Sequence, residues 1–416
     1  MYDRYYKQKD AYYFVLIGLI IISSICSISI QVVEISQNVR NMLNYLPWII
    51  TIVYMVIYLN YTNIVHFKMM LLLLLPLGLV LLGRVMGVSY DDSLTRALIL
   101  VSIVFGIGIL LGEYLEQKHF DIILKGIVVA TLLVGLYTYF VLLGGAGLYE
   151  SQVGIYNKNA LGLIFAVPVV IMLFNNNVFY KLKFIFIPFL VMLVILCASR
   201  TSMVCCLVAI IARIFIGNRN WKEKSFYTLV ISGVIIFLFT NEAFYDRVIT
   251  EIFFKGHEEV TEEDYYVVTS GRSEVIKWFP TYFKQNWFIG GGGYAFENFY
   301  LDTLCKMGIV GAIPIFMFIF SPIYYYFKDR KDKNTFETRN MLLALCLLMC
   351  INGLGEEMTP LGPGVKCFVL WLSFGYFIGM RNKNKELALY SQEDDESQGV
   401  ETSEVVDETV SDNTGI

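Results

Sequence analysis

The sequence predicts an all-α integral membrane protein with about twelve transmembrane helices, both termini cytoplasmic and one long extracytoplasmic loop. Three observations carry that expectation. The 416 residues are 56% hydrophobic and only 16% charged, with a mean hydropathy of +0.60, more apolar than a water-soluble chain of this length. Apolar runs of helix length recur along nearly the whole chain, where a membrane β-barrel would show short alternating segments. Lys and Arg concentrate in every second connection between the runs.

The runs are 11–30, 43–61, 67–83, 94–113, 122–143, 160–175, 182–198, 201–217, 226–241, 306–327, 340–354 and 363–380. The opening MYDRYYKQKD leads straight into the first run with no small-residue cleavage site, so that run reads as a span and not a cleaved signal. Basic residues mark alternate connections: Arg4, Lys7 and Lys9; Lys68; Lys118 and Lys125; Lys181 and Lys183; Arg213, Arg219, Lys222 and Lys224; the segment KDRKDKNTFETR; and finally RNKNK. The positive-inside rule places these in the cytoplasm. The remaining connections are expected outside and carry few cations, among them Arg40, Arg84, Lys158 and Arg200. A cation where the rule disfavours one calls for an explanation.

The expected organisation is nine transmembrane helices in 1–240, the extracytoplasmic loop in 241–300, three more helices in 301–385 and a disordered cytoplasmic tail in 386–416. The loop is aromatic and charged, unlike a Gly/Ser linker, and is long enough to be a functional element. The tail carries nine acidic residues from Glu393 to Asp412, no Lys or Arg from Ser391 onward and no aromatics beyond that point. Such a segment cannot bury a core. Without it, the body has a basic surplus.

The eight cysteines fall mostly in apolar segments with no CxxC pair, and the three histidines are far apart, so no disulfide or metal site is expected. Glu34 and the pair Asp91 and Asp92 read as solvated charges rather than metal ligands. The GGGG at Gly290–Gly293 has no following Lys-Ser/Thr and reads as a flexible turn, not a phosphate loop.

Four short motifs collect on the expected outer face: YNKNALG (156–162), ASRTS (198–202), TSGRSEVIKWFPTYFKQNWFIGGGGY (269–294) and ENFYLDTLCKMGIVG (297–311). In this order they resemble the O-antigen ligase and Wzy-type polysaccharide polymerase superfamily. That family shows an N-x-N-A-L-G element, an S-R-T element, an S-G-R followed by Trp, and an N-x-Y-L-x-x-L-x-x-x-G-I-x-G element after a Gly-rich turn. Ligases of the family typically place a His before the Asn of the last element; here that position is Glu297.

The resemblance implies a membrane glycosyltransferase in a bacterial cytoplasmic (inner or plasma) membrane. It would join polyprenyl-pyrophosphate-linked oligosaccharide repeat units, with an O-antigen-type ligase or a polysaccharide-pathway transporter as the alternatives. It further implies a chain-length regulator protein as a candidate partner; no cofactor, metal or nucleic acid is expected. Arg200 and Arg272 are the expected clamp for the diphosphate leaving group, since a guanidinium offers paired charge-assisted bonds to phosphate. Glu297 is the first candidate to accept the acceptor hydroxyl's proton, with His257 a distant second. Asn159, Ser199, Thr201, Trp278, Asn298 and Tyr300 are the expected substrate contacts. A transporter is disfavoured because charges within the runs are few and no repeated halves with matched broken helices are visible.

Overall fold

The computed structural model describes residues 2–30, 32–58, 69–85, 90, 92–142, 152–153, 156–216, 221–257, 261, 264–269, 271–291, 295–330, 332, 335–362 and 367–385. The acidic tail expected over 386–416 lies outside the described residues, as does Asp91.

Within those limits the protein is all-helical apart from a small antiparallel ribbon that pairs Gln152 with Asn157 and Val153 with Tyr156. In order, the long helices are α1 (Tyr2–Ser29), α2 (Gln37–Tyr58), α3 (Leu71–Val85), α4 (Asp92–Tyr114), α5 (Gln117–Tyr137), α6 (Lys158–Phe174), α7 (Lys183–Leu196), α8 (Arg200–Phe215) and α9 (Trp221–Thr240). There follow the short α10 (Glu242–Tyr245) and α11 (Asp264–Thr269), then α12 (Arg272–Gln285), α13 (Phe299–Lys328), α14 (Phe336–Asn352) and α15 (367–385). Among the described residues, five stretches are long and apolar enough to cross a bilayer: Tyr12–Ser29, Gln37–Tyr58, Asp92–Tyr114, Gln117–Phe140 and Phe299–Lys328. Helices α3, α6 and α7 are apolar but shorter.

Helix α6 is the centre. Every residue from Ala160 to Phe174 is buried, the condition of a helix that is apolar on all sides. It is enclosed by α5, α7, α8 and α14. Helices α4 and α15 meet through small residues. A Cβ on Gly108 would lie 2.9 Å from the Cα of Gly375, and one on Gly112 would run into the Tyr376 carbonyl. Gly375 and Gly379 meet the backbone of α4 in the same way. Each helix thus offers a small-x-x-x-small pair, the arrangement that lets apolar helices approach closely where no hydrophobic drive separates helix from lipid.

This contact yields a graded prediction. Gly112→Ala forces a methyl into the α15 backbone and should cost about 1–3 kcal/mol as overpacking, seen as a lower melting temperature in detergent. Gly78 on α3 has nothing within 4 Å of its ideal Cβ, so Gly78→Ala should leave melting unchanged or slightly raise it.

The basic end of the bundle is closed by polar bonds. The buried Asp121 carboxylate accepts from Asn175 Nδ2 at 2.7 Å, Asn177 Nδ2 at 3.0 Å and Gln117 Nε2 at 3.0 Å. Thr338 donates to Gln117 Oε1 at 3.0 Å, and Arg381 Nε sits 2.6 Å from Asp329 Oδ2. Here α5, the turn after α6, and α13 to α15 are joined away from the motif-bearing end.

Candidate functional site

At the other end of the bundle, three helices begin with a cation. Lys158 is the first residue of α6, Arg200 of α8 and Arg272 of α12. A helix N-terminus already carries partial positive charge, so a cation there is disfavoured by about 0.3–1 kcal/mol at an exposed site. The three also feel one another: Arg200 is within the electrostatic reach of both Lys158 and Arg272. Lys255, on the segment before α11, joins them. Partial burial first, and then the charges of Arg200, Lys158 and Arg272, hold its ammonium below the ordinary lysine range, with Glu297 opposing. Like charges and helix starts gathered this way could accommodate a multiply charged anion.

The local sequence explains how α6 and α8 bring their first residues together. Gly162 of the NALG motif faces the SRTS motif: a Cβ there would lie 2.9 Å from both Ser199 Cβ and Ser202 Oγ. The Ser202 hydroxyl donates to the Asn159 carbonyl at 3.4 Å. Ser199, fully buried, caps α8 by accepting from Ser202 N at 3.4 Å, and its hydroxyl donates to Ser202 Oγ at 2.9 Å. The turn between α7 and α8 passes through Ala198 at φ 48°, a conformation costing a non-glycine residue about 1–3 kcal/mol. Lys255 is also in the left-handed region, at φ 55°.

The half-buried Arg200 guanidinium donates through Nη1 to the carbonyls of Phe253, at 3.0 Å, and Val268. It therefore ties α8 to the π-helical stretch Asp246–Phe253 and to α11. Arg272 begins α12 after Gly271, whose φ of 78° is a left-handed N-cap. Its Nη2 donates to the Gly355 carbonyl at 2.7 Å, and its Nε lies 3.5 Å from Glu297 Oε2. That second contact is an ion pair without an aligned hydrogen bond. Gly355 is wedged between the motifs: a Cβ on it would be 3.0 Å from Thr201 Oγ1 and 3.5 Å from Arg272 Cζ.

Glu297 stands just before α13 with its side chain 63% exposed, open to an approaching hydroxyl. Asn298 next to it is the N-cap of α13. Its Oδ1 accepts from the backbone of Tyr300 and Leu301, both at 3.1 Å, and its Nδ2 donates to the Leu354 carbonyl at 3.1 Å. Tyr300 donates its hydroxyl to the Cys350 carbonyl at 2.9 Å and stacks among Phe299, Phe316 and Phe320. Ser199, Asn298 and Tyr300, all expected to contact substrate, each have a polar group bonded to a neighbouring part of the protein. Thr201 and Asn159 are half-buried beside the cations, and Trp278 is exposed on α12, which has no buried residue. His257 sits 3.2 Å from Asp264 Oδ1 and on a different segment from Glu297. Asp92 is bonded to Arg84. Among the described residues no three His, Cys, Asp or Glu side chains are grouped to hold a metal.

Gly290 and Gly291 of the Gly-rich turn are docked against α13, while Gly292 and Gly293 lie outside the described residues. Gly308, at φ 59°, breaks α13, and Gly290, at φ 83°, packs against the break. Gly291 N donates to the Lys306 carbonyl at 3.0 Å, Ile309 N to Trp287 at 2.8 Å and Val310 N to Phe288 at 3.2 Å. Side chains at either glycine would strike the facing backbone, and the left-handed φ suits glycine alone. This is why the turn and the G-I-x-G element occur together.

Several site residues were not singled out from sequence. Lys255 hid among the charges of KGHEEVTEED. The connection 353–362 was not singled out either, although its Leu354 and Gly355 carbonyls bind two motif residues. No protein-family model matches the chain, and no curated protein matches it.

Proposed function

We propose that this chain is a polymerase of the bacterial cytoplasmic membrane that elongates a glycan carried on a polyprenyl diphosphate at the outer face. In this reading about twelve apolar helices cross the bilayer, both termini face the cytoplasm, and the cation-bearing helix starts face outward. The carrying observation is the convergence of Lys158, Arg200 and Arg272 at three helix N-termini, with Lys255 beside them and Glu297 3.5 Å from Arg272. A diphosphate is the ligand such an array suits, because it supplies several negative charges and bidentate oxygens. The resemblance of the four motifs to the Wzy-type polymerases points to the same substrate.

The chemistry follows from the arrangement. The acceptor sugar's hydroxyl attacks the anomeric carbon of the donor chain, and the bond from that carbon to the diphosphate oxygen breaks. Glu297 takes the hydroxyl proton as the new glycosidic bond forms. The electron pair leaves with the diphosphate, and the arginines stabilise that charge where it develops.

Loss of the protein should therefore leave single repeat units on the carrier, already on the outer leaflet. Extracting and sizing the lipid-linked glycan from cells lacking the gene, with a membrane-impermeant lectin reporting the leaflet, checks this. Long lipid-linked chains would point to ligation instead, and units trapped inside would point to transport.

A further inference from the structure

A buried ion triad lies behind the site. The side chains of Asp302 and Lys306 are 1% and 4% exposed, and Lys306 Nζ lies 2.8 Å from Asp302 Oδ2. The same ammonium is 2.6 Å from Glu357 Oε1, on a side chain 34% exposed. Asp302 Oδ1 accepts from Phe296 N at 3.0 Å. Charges withdrawn from water this far are tolerated only when paired and bonded.

The triad joins the parts of the site that are distant in sequence. The Lys306 carbonyl receives Gly291 of the docked turn, and Asp302 receives the residue before Glu297. Glu357 is two residues beyond Gly355, the acceptor for Arg272. Three successive carbonyls of that strip face the site elements. Gly353 accepts from Phe299 N at 2.8 Å, Leu354 from Asn298 Nδ2 at 3.1 Å and Gly355 from Arg272 Nη2 at 2.7 Å. The Lys306–Glu357 bond is a side-chain anchor at the end of the strip.

We propose that Glu357, held by Lys306, which is itself paired with Asp302, is a positioning residue for Arg272: it fixes strip 353–357 so that the Gly355 carbonyl aims the guanidinium at the substrate. The catalytic consequence rests on the polymerase reading; the mechanical coupling does not. Without the anchor the strip shifts, the Gly355 acceptor moves away, and Arg272 keeps only its unaligned pairing with Glu297.

The test uses the full-length protein purified in detergent and given lipid-linked single repeat units. Glu357→Gln keeps the side chain's shape and should slow elongation by about 10- to 100-fold, the scale of a roughly 1 Å misplacement. Glu357→Asp keeps the charge and should recover part of the rate. In an Arg272→Lys background, Glu357→Gln should add little further loss, because both changes act through one cation. Wild-type rate in Glu357→Gln, or losses that multiply in the double variant, would overturn the proposal. A melting-temperature cycle of Glu357→Gln with Arg272→Ala reads the coupling without any activity. Shifts that fail to add support it, and additive shifts overturn it. Non-additive shifts in a wild-type protein that elongates nothing would leave the positioning standing and remove the polymerase reading.

Discussion

Arg272→Ala and Arg200→Ala should each reduce glycan elongation by about 10²- to 10³-fold, the scale of removing one preorganised donor from a developing charge. The two variants should differ in stability. Arg200 bonds two carbonyls of the segment between α9 and α12, so its loss also releases that segment and leaves acceptors unpaired, at about 1–3 kcal/mol where they are buried. Arg272 bonds one carbonyl and is only ion-paired with an exposed carboxylate, so its loss should lower the melting temperature less. Lysine at either position should restore activity only in part, because an ammonium cannot offer the planar paired fork. Rate assays on protein matched for amount in the membrane, with melting curves alongside, separate the two effects. Full elongation by either alanine variant would remove that arginine from the site.

Glu297→Gln should cost about 10²- to 10⁴-fold in elongation, the usual range for removing a general base, with almost no change in melting. The reasoning turns on exposure. A carboxylate 63% exposed and 3.5 Å from its arginine contributes little to stability, as surface ion pairs do. Glutamine keeps the shape and cannot take the proton. A large loss of rate at constant stability would thus be chemical and not structural. Unchanged elongation would instead leave Glu297 as the residue preceding the Asn298 cap.

Much of the architecture is legible in the sequence because apolar runs and helices obey the same length constraint. The runs at 43–61, 94–113 and 122–143 fall on α2, α4 and α5, each long enough to cross a bilayer. The run at 306–327 marks only part of α13, which begins at Phe299 because Asn298 caps it. Charged Asp302 and Lys306 interrupt the hydropathy there, although their pairing lets them lie inside the protein. The contact between Gly108 and Gly375 was invisible because each glycine makes sense only against a partner more than 250 residues away.

Arg200, Arg272 and Glu297 stand out in the sequence as candidates, since a charge at an apolar boundary is conspicuous, whereas Lys255 does not. Nor do the supports of the site. Ser199, Asn298 and Tyr300 belong to recognisable motifs, yet a motif does not reveal whether a polar group faces a ligand or a neighbouring carbonyl. Gly355 acts through its backbone, which carries no side-chain signature at all. Glu357 and Lys306 become meaningful only when the fold brings them to 2.6 Å.

The central claim is that this protein alone lengthens a lipid-linked glycan. The direct measurement is reconstitution of the purified chain into vesicles with one defined lipid-diphosphate-linked oligosaccharide unit, followed by sizing of the lipid-linked product. The account predicts a ladder of two, three and more units still attached to the carrier, with free polyprenyl diphosphate released for each bond formed, and no ladder with Arg272→Ala. Single units that stay single under conditions where the protein binds the carrier, or that move to a non-lipid acceptor without lengthening, would contradict it.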